Sequence, residues 1–177
     1  MKELIDAIKI CLQNENWHAA LFVTLALPDI CGSLENPNLK KSEERYIKWF
    51  NKYLSAKYIH EVGAEHKVHV FLTGEDCYAL RCAYLHEGTG EITGQRCQQV
   101  LDNFRFTTDS SHRNYISTKT GRTLQLQVKM FCEEFCEAAN RWLADVSTDS
   151  DIQKRISKML KIYDSIFTRD EKSLHIP

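Results

Sequence analysis

One segment of the chain, residues 72–88, carries a permanent cation and a titratable imidazole five positions apart, at Arg81 and His86. The Arg81 guanidinium stays charged at physiological pH and can grip a phosphate through a planar fork of donors. The His86 imidazole can take up or release a proton near neutral pH. The pair therefore supplies two groups that phosphoryl-transfer chemistry on RNA requires, one to stabilise the phosphate charge and one to move a proton.

Residues 72–88 are expected to form one complete helix. Thr73 is placed as the N-cap, and Asp76, three residues later, can act as the acid of a capping box. Gly88 is placed to end the helix as its C′ residue. The sequence therefore predicts a helix with a capping signal at each end.

The spacing of the pair sets a geometric condition. Five residues turn through about 140° on an ideal helix, and Arg81 and His86 therefore do not lie on one face. They can meet if the long Arg81 side chain reaches round, or if the helix ends at His86. A second copy of the chain can also supply the partner group, and we favour such a dimeric site.

The run Leu-Arg-Cys-Ala-Tyr-Leu-His-Glu-Gly at residues 80–88 resembles the Arg-x4–6-His motif of the HEPN superfamily (higher eukaryote and prokaryote nucleotide-binding domains). The resemblance implies a helical bundle, and many members are metal-independent RNases that act as homodimeric toxins or defence effectors. It also implies that Arg81 binds the scissile phosphate. His86 would then be the general acid or base for attack by the RNA 2′-hydroxyl, leaving a 2′,3′-cyclic phosphate. Cys82 stands where the family usually has Asn, Asp or His.

Two interpretations of the motif remain open. Arg81 and His86 can be catalytic, or Arg81 can hold the fold through an ion pair while His86 interacts with the helix macrodipole. Tyr78 and Tyr84, three residues before and after Arg81, can stack on a base or pack in the core. Cys82 favours a non-catalytic HEPN-like module for dimerisation or partner binding.

Composition places limits on the class of protein. The chain has 177 residues, 43% of them hydrophobic, which suits a single domain spanning 1–177. Its net charge of -1 means that any nucleic-acid partner must meet a local patch. Seven scattered cysteines and an amphipathic start without a secretory pattern predict reduced thiols and a cytoplasmic protein. The longest apolar run, about nine residues, is too short to span a bilayer.

Hydrophobic periodicity predicts a mainly α fold, an HEPN-like helical bundle with a small inserted β-hairpin or sheet at about 98–127. The surrounding insertion, at about 89–127, lacks helical periodicity. Asn16 and Ser42 are predicted N-caps, Pro28 should kink or end its helix, and residues 119–121 should form a tight turn. The predicted helices cover residues 2–13, 17 to about 30, 42 to about 58, 72–88, 128–146 and 150 to about 167. Residues 31–38 are expected to be a loop, and residues 59–70 a loop or short extended piece.

The insertion is locally basic. Residues 89–129 contain six basic and three acidic residues, and aromatic side chains lie among them. Cations and aromatics on an exposed hairpin suit single-stranded RNA, which is bound by phosphate contact and stacking. An ordinary solvated hairpin with buried aromatics is the alternative. The candidate RNA-binding residues outside the motif helix are Arg105, Arg113, Lys119 and Arg122.

No metal or cofactor is expected. Cys82 and His86 have helix-compatible ligand spacing, but the sequence lacks the paired Cys or His motifs of structural zinc sites. The sequence thus predicts an RNA-directed protein, foremost a metal-independent endoribonuclease of toxin or defence type. Its expected partners are RNA, a second copy of the chain and an antitoxin protein. No membrane is expected among its partners.

Overall fold

The structure is a computed structural model that describes residues 1–93, 95, 98–119 and 121–162. It is rich in helix and has a small sheet of few strands, as predicted. The helices are α1 (Lys2–Gln13), α2 (Trp17–Glu35), α3 (Ser42–Tyr53), α4 (Gly74–Glu87), α5 (Val128–Asp145) and α6 (Ser150–Ser157). The strands are β1 (Ile59–Val62), β2 (Lys67–Val70), β3 (Asn103–Thr107), β4 (Asn114–Thr118) and β5 (Gly121–Gln127).

Helix α2 lies at the centre of the helical part and packs against α1, α3 and α5. It continues through Pro28 to Glu35, and the prediction that it ends near Ile30 was wrong. Leu25, Leu27 and Cys31 around the proline are fully buried, and burial of such side chains offsets the cost of an interior proline. Among the described helices, α2 alone is long and apolar enough to cross a membrane, but most of its apolar residues belong to or pack against the protein core.

Helices α2 and α3 approach each other closely at Gly32. A Cβ atom at this position would lie 2.8 Å from the main-chain oxygen of Arg45. This contact is shorter than real Cβ atoms make, and a larger residue would push the two helices apart. Because the two helices are this close, polar side chains on α2 can contact polar side chains on α3, next to α4.

Helix α4 has both predicted caps. The Thr73 hydroxyl accepts a hydrogen bond from the Asp76 backbone N–H at 3.0 Å, and Gly88 ends the helix in the left-handed region with φ 71°. The Asp76 carboxylate is fully buried and accepts hydrogen bonds from the backbone N–H groups of Gln99, Val100 and Leu101 at 2.8–3.4 Å. The acid of the predicted capping box therefore binds the segment that leads into β3.

The insertion contains a three-stranded sheet in the order β3-β5-β4, in which β4 and β5 form the predicted hairpin. Strand β3 pairs with β5 in parallel. Phe104, Leu124 and Leu126 are buried on one face and join the hydrophobic core of the helices. A second pair of strands, β1 and β2, forms an antiparallel hairpin within residues 59–70, where the sequence predicted a loop or a short extended piece.

Three further helix ends differ from the prediction. Lys41, not Ser42, is the N-cap of α3, and the Ser42 hydroxyl hydrogen-bonds the Tyr78 hydroxyl at 2.7 Å instead. A 3-10 turn replaces the last predicted turn of α3. Helix α6 ends at Ser157, earlier than expected, and residues 163–167 of its predicted range lie outside the described residues. Asn16 caps α2 as predicted.

We predict that Asp76→Asn lowers the free energy of unfolding by about 2–3 kcal/mol, because the amide has one oxygen where the carboxylate presents two to buried N–H groups. Urea denaturation measures the change. Asp6→Asn, at an exposed carboxylate, is the matched control and should shift stability by less than about 0.5 kcal/mol. Equal effects of the two changes would contradict the role of Asp76.

Candidate functional site

Arg81 and His86 meet within one copy of the chain. Arg81 Nη1 lies 3.4 Å from His86 Nε2, because the long Arg81 side chain reaches round the last turn of α4. The His86 side chain is exposed, whereas the Arg81 side chain is 20% exposed. A solvent-facing imidazole thus lies beside a largely shielded guanidinium. This geometry allows one phosphate group to contact both side chains.

A carboxylate on α2, Asp29, binds two guanidiniums at this site. Its Oδ1 accepts hydrogen bonds from Arg45 Nε at 3.1 Å and Nη2 at 2.9 Å. Its Oδ2 lies 3.9 Å from Arg81 Nη2, beyond hydrogen-bond distance. Arg45 also donates to the main-chain oxygens of Leu39 and Lys40 at 2.8 and 3.1 Å. Asp29 is therefore held firmly by Arg45 and interacts with Arg81 mainly through charge.

Sequence reasoning missed Asp29 and Arg45. They lie on different helices from Arg81, and nothing in their spacing associates them with it. A weak signal existed, since Asp29 is a charged residue directly after Pro28 in a mostly apolar helix. Only the packing of α2, α3 and α4 brings the three groups together.

Tyr78 packs beside Arg81. The guanidinium carbon lies 5.9 Å from the centre of the Tyr78 ring, close to the limit for a cation–π contact. The ring packs edge-on against buried Tyr46, and burial raises the pKa of the Tyr78 hydroxyl. Tyr78 is thus half-buried and lies beside the Arg81 guanidinium.

Tyr84 belongs to a small aromatic cluster between α4 and α2. Its hydroxyl hydrogen-bonds His18 Nδ1, and its ring centre lies 4.8 Å from that of Phe22. His18 and Phe22 are exposed, whereas Tyr84 is half-buried. This cluster lies on the helix that carries His86 and presents aromatic surface to solvent.

The basic residues of the insertion have different surroundings. Arg105 and Lys119 are exposed, on β3 and next to the end of β4. Arg122 Nε donates to the carboxylate of Asp102 at 3.3 Å. Arg113 forms an ion pair with Glu134. Within the described part of the chain, none of these four contacts Arg81 or His86.

Glu134 is the centre of a buried polar cluster that the sequence did not predict. The Tyr58 hydroxyl donates to Glu134 Oε2 at 2.6 Å, Arg113 donates to Oε1, and His112 Nε2 lies 3.6 Å from Oε2. The Glu134 side chain is only 8% exposed. Its position in the apolar stripe of α5, next to Phe135, was the available signal.

The Glu134 carboxyl is held in its ionised form. Burial by itself raises its pKa, but the adjacent His112 imidazole, the hydrogen bond from Tyr58 and the charge of Arg113 outweigh burial and lower the pKa below its ordinary value. Burial and the adjacent carboxylate raise the pKa of the Tyr58 hydroxyl well above 10. Glu134 and Arg113 thus form a charged pair that joins α5 to the start of β4.

The cysteines near the site are poorly suited to act as nucleophiles. Cys77 is fully buried, and burial raises the pKa of its thiol to about 12, which keeps it protonated near neutral pH. Cys82 is half-buried, and its Sγ lies 4.0 Å from Arg81 Nη1. The described residues include no group of three or more His, Cys, Asp or Glu side chains placed to hold a metal ion.

No protein-family model, curated protein or solved structure matches the chain.

We predict that Asp29 and Arg45 are energetically coupled. In a double-mutant cycle with Asp29→Ala and Arg45→Ala, urea denaturation should give a coupling free energy of about 1–3 kcal/mol, because the pair is largely shielded from water. The exposed pair Lys41–Glu44, 3.1 Å apart, is the control cycle and should give less than about 0.5 kcal/mol. Similar values in both cycles would show that Asp29 is an ordinary surface partner.

We also predict a pH-dependent effect of Glu134→Gln. Because the folded-state pKa is lowered, ionised Glu134 stabilises the fold above pH 4.5, and this contribution is lost as pH falls through the lowered pKa. The variant should be about 3 kcal/mol less stable than wild type at pH 7.

The difference should narrow as pH falls below 4.5, as measured by urea unfolding at a series of pH values. Glu137→Gln, at an exposed carboxylate on the same helix, should show no such narrowing. A constant difference for Glu134→Gln down to pH 2 would contradict the argument.

Proposed function

We propose that the chain is an HEPN-like, metal-independent endoribonuclease that acts through Arg81 and His86. The observation that carries the proposal is the 3.4 Å approach of Arg81 Nη1 to the exposed imidazole of His86. A fixed cation beside an accessible proton-transfer group suits cleavage of a phosphodiester. RNA is the substrate that carries its own nucleophile, the 2′-hydroxyl.

The reaction that fits is internal transesterification. The 2′-oxygen attacks the adjacent phosphorus, the bond to the 5′-oxygen breaks, and the products are a 2′,3′-cyclic phosphate and a 5′-hydroxyl. His86 removes the 2′-proton or protonates the leaving oxygen. Arg81 stabilises the charge that develops on the phosphoryl oxygens. A single imidazole fills one proton-transfer role, and His86 of a second copy would fill the other in a homodimer.

The position of Asp29 supports a phosphate-binding role for Arg81. At 3.9 Å it offers Arg81 an attractive charge without a hydrogen bond, and Arg45 already satisfies its Oδ1. Arg81 Nη2 can therefore donate to a phosphate without first breaking a direct hydrogen bond to Asp29. In this proposal Asp29 orients Arg81, and the Tyr78 ring packs beside the guanidinium.

A toxin or defence role in the cytoplasm, restrained by an antitoxin protein, is the biological setting that we propose. Tyr84 and the insertion residues Arg105, Arg113, Lys119 and Arg122 are the proposed RNA contacts outside the pair. Exposed Arg105 and Lys119 are the best placed of these, since Arg113 and Arg122 already bind carboxylates.

A non-catalytic HEPN-like module for dimerisation or partner binding is the second candidate. The observation that favours it is Cys82, which puts a weak hydrogen-bonding thiol beside Arg81. In that case Arg81 links α4 to Asp29 on α2, and its loss should lower stability without removing any activity.

The test is cleavage of single-stranded RNA by the purified chain in EDTA. We predict that His86→Asn lowers the cleavage rate about 10²–10⁴-fold, because proton transfer is lost. We predict that Arg81→Lys lowers it about 10²-fold, because the planar fork is lost while the charge remains. The wild-type product should end in a 2′,3′-cyclic phosphate.

His66→Asn is the matched control, since His66 is exposed in the β1–β2 turn with φ 50°, a conformation that Asn tolerates. It should cleave RNA at the wild-type rate. If the wild-type chain cleaves no RNA, or if His86→Asn retains full activity, the endoribonuclease proposal is wrong and the binding module is favoured.

A further inference from the structure

A cleft of about 320 Å³ lies between the β1–β2 hairpin and the start of β4. This volume is at the lower end of the range of small-molecule sites, which begins at roughly 300 Å³. The cleft therefore has room for one compact group. Its lining residues are Val62, His69, Phe71, Arg113, Asn114 and Tyr115.

Aromatic rings form one side of this cleft. His69 packs edge-on against Phe71, with 4.5 Å between ring centres, and against Tyr115, with 5.0 Å. All three rings are half-buried. Partly exposed aromatic rings around a small cleft are suited to contact with a flat ring.

Two nitrogen atoms of the lining residues lack hydrogen-bond partners. His69 Nε2 and Arg113 Nε are each buried without a partner among the described residues. Such atoms are uncommon in native structures, because an unpaired buried polar group is costly. The exposed Asn114 carboxamide adds a donor and an acceptor at the same place. The exposed Asn114 carboxamide is therefore the hydrogen-bonding group of the lining that a ligand reaches directly, next to the aromatic rings.

The charge of the cleft disfavours a simple anion. Arg113 is the one permanent cation in the lining, and the buried carboxylate of Glu134 already neutralises it. A phosphate would have to compete with that carboxylate. A neutral ring with donors and acceptors on its edge faces no such competition.

We propose that this cleft binds a nucleobase, which contacts the rings of Phe71 and Tyr115 and hydrogen-bonds to His69, Arg113 or Asn114. Arg113 is in the left-handed region with φ 62°, a strained backbone conformation of the kind that clusters at ligand sites. The source of the base is a single RNA strand or a free nucleotide. The RNA source rests on the proposed function, whereas binding of the base itself does not.

The experiment is an NMR titration of the full chain with the four nucleoside monophosphates, with ribose 5-phosphate as the ligand that lacks a base. We expect chemical-shift changes at His69, Phe71 and Tyr115 for at least one nucleotide and none for ribose 5-phosphate. Tyr115→Leu should weaken nucleotide binding by roughly 5- to 100-fold, which is the effect of losing one stacking ring.

Two further variants keep the result interpretable. Asn114→Ala changes an exposed side chain, should leave the fold intact and should weaken binding several-fold. Ile116→Ala, at an exposed position further along β4, is the control and should bind as wild type does. If no nucleotide shifts the cleft residues, or if ribose 5-phosphate binds equally well, the proposal is overturned.

A single-stranded ribonucleotide hexamer distinguishes the sources. Tighter binding of the hexamer than of any monophosphate supports an RNA strand, whereas equal binding supports a free nucleotide. His86→Asn should leave binding at the cleft unchanged, because His86 lies outside its lining. Base binding in a chain that cleaves no RNA would therefore overturn the endoribonuclease and leave the cleft proposal standing.

Discussion

The buried carboxylate of Asp76 is the interaction on which the candidate site depends. A charge without solvent requires several donors, and Asp76 obtains them from the Thr73 hydroxyl and from three consecutive backbone N–H groups at residues 99–101. The carboxylate thereby fixes the N-terminal end of α4 to the segment that enters β3. The helix that carries Arg81 and His86 and the inserted sheet are consequently held as one structure.

Glu134 also joins the insertion to the helices, through a different set of contacts. Its carboxylate binds Tyr58 after α3 and Arg113 at the start of β4. Both buried carboxylates therefore join the insertion to the helices. In each case the donors around the carboxylate offset the cost of removing its charge from water. One consequence is that a basic residue in the insertion is not necessarily a free positive charge, since Glu134 already neutralises Arg113.

Arg81 can bind phosphate or can link α4 to Asp29, and the distances around its guanidinium distinguish these two roles. It is too far from Asp29 for a hydrogen bond, yet near enough to be oriented by the charge. His86, by contrast, is exposed and within 3.4 Å of the guanidinium. A purely structural arginine would be expected to make direct hydrogen bonds to its carboxylate, as Arg45 does. This difference between two arginines on one aspartate favours a role for Arg81 outside the scaffold.

Local signals in the sequence determined the helices, the Thr73 and Gly88 caps and the β insertion, because periodicity and capping act over a few residues. The sequence also marked Arg81 and His86 as a candidate pair, but it did not decide that they meet within one copy, because they lie about 140° apart on the helix. The sequence did not reveal that α2 continues through Pro28, that Asp29 and Arg45 flank Arg81, or that Glu134 binds Tyr58, 76 positions away. Those features arise only when helices pack, because burial decides which charges must be paired and which proline can be tolerated.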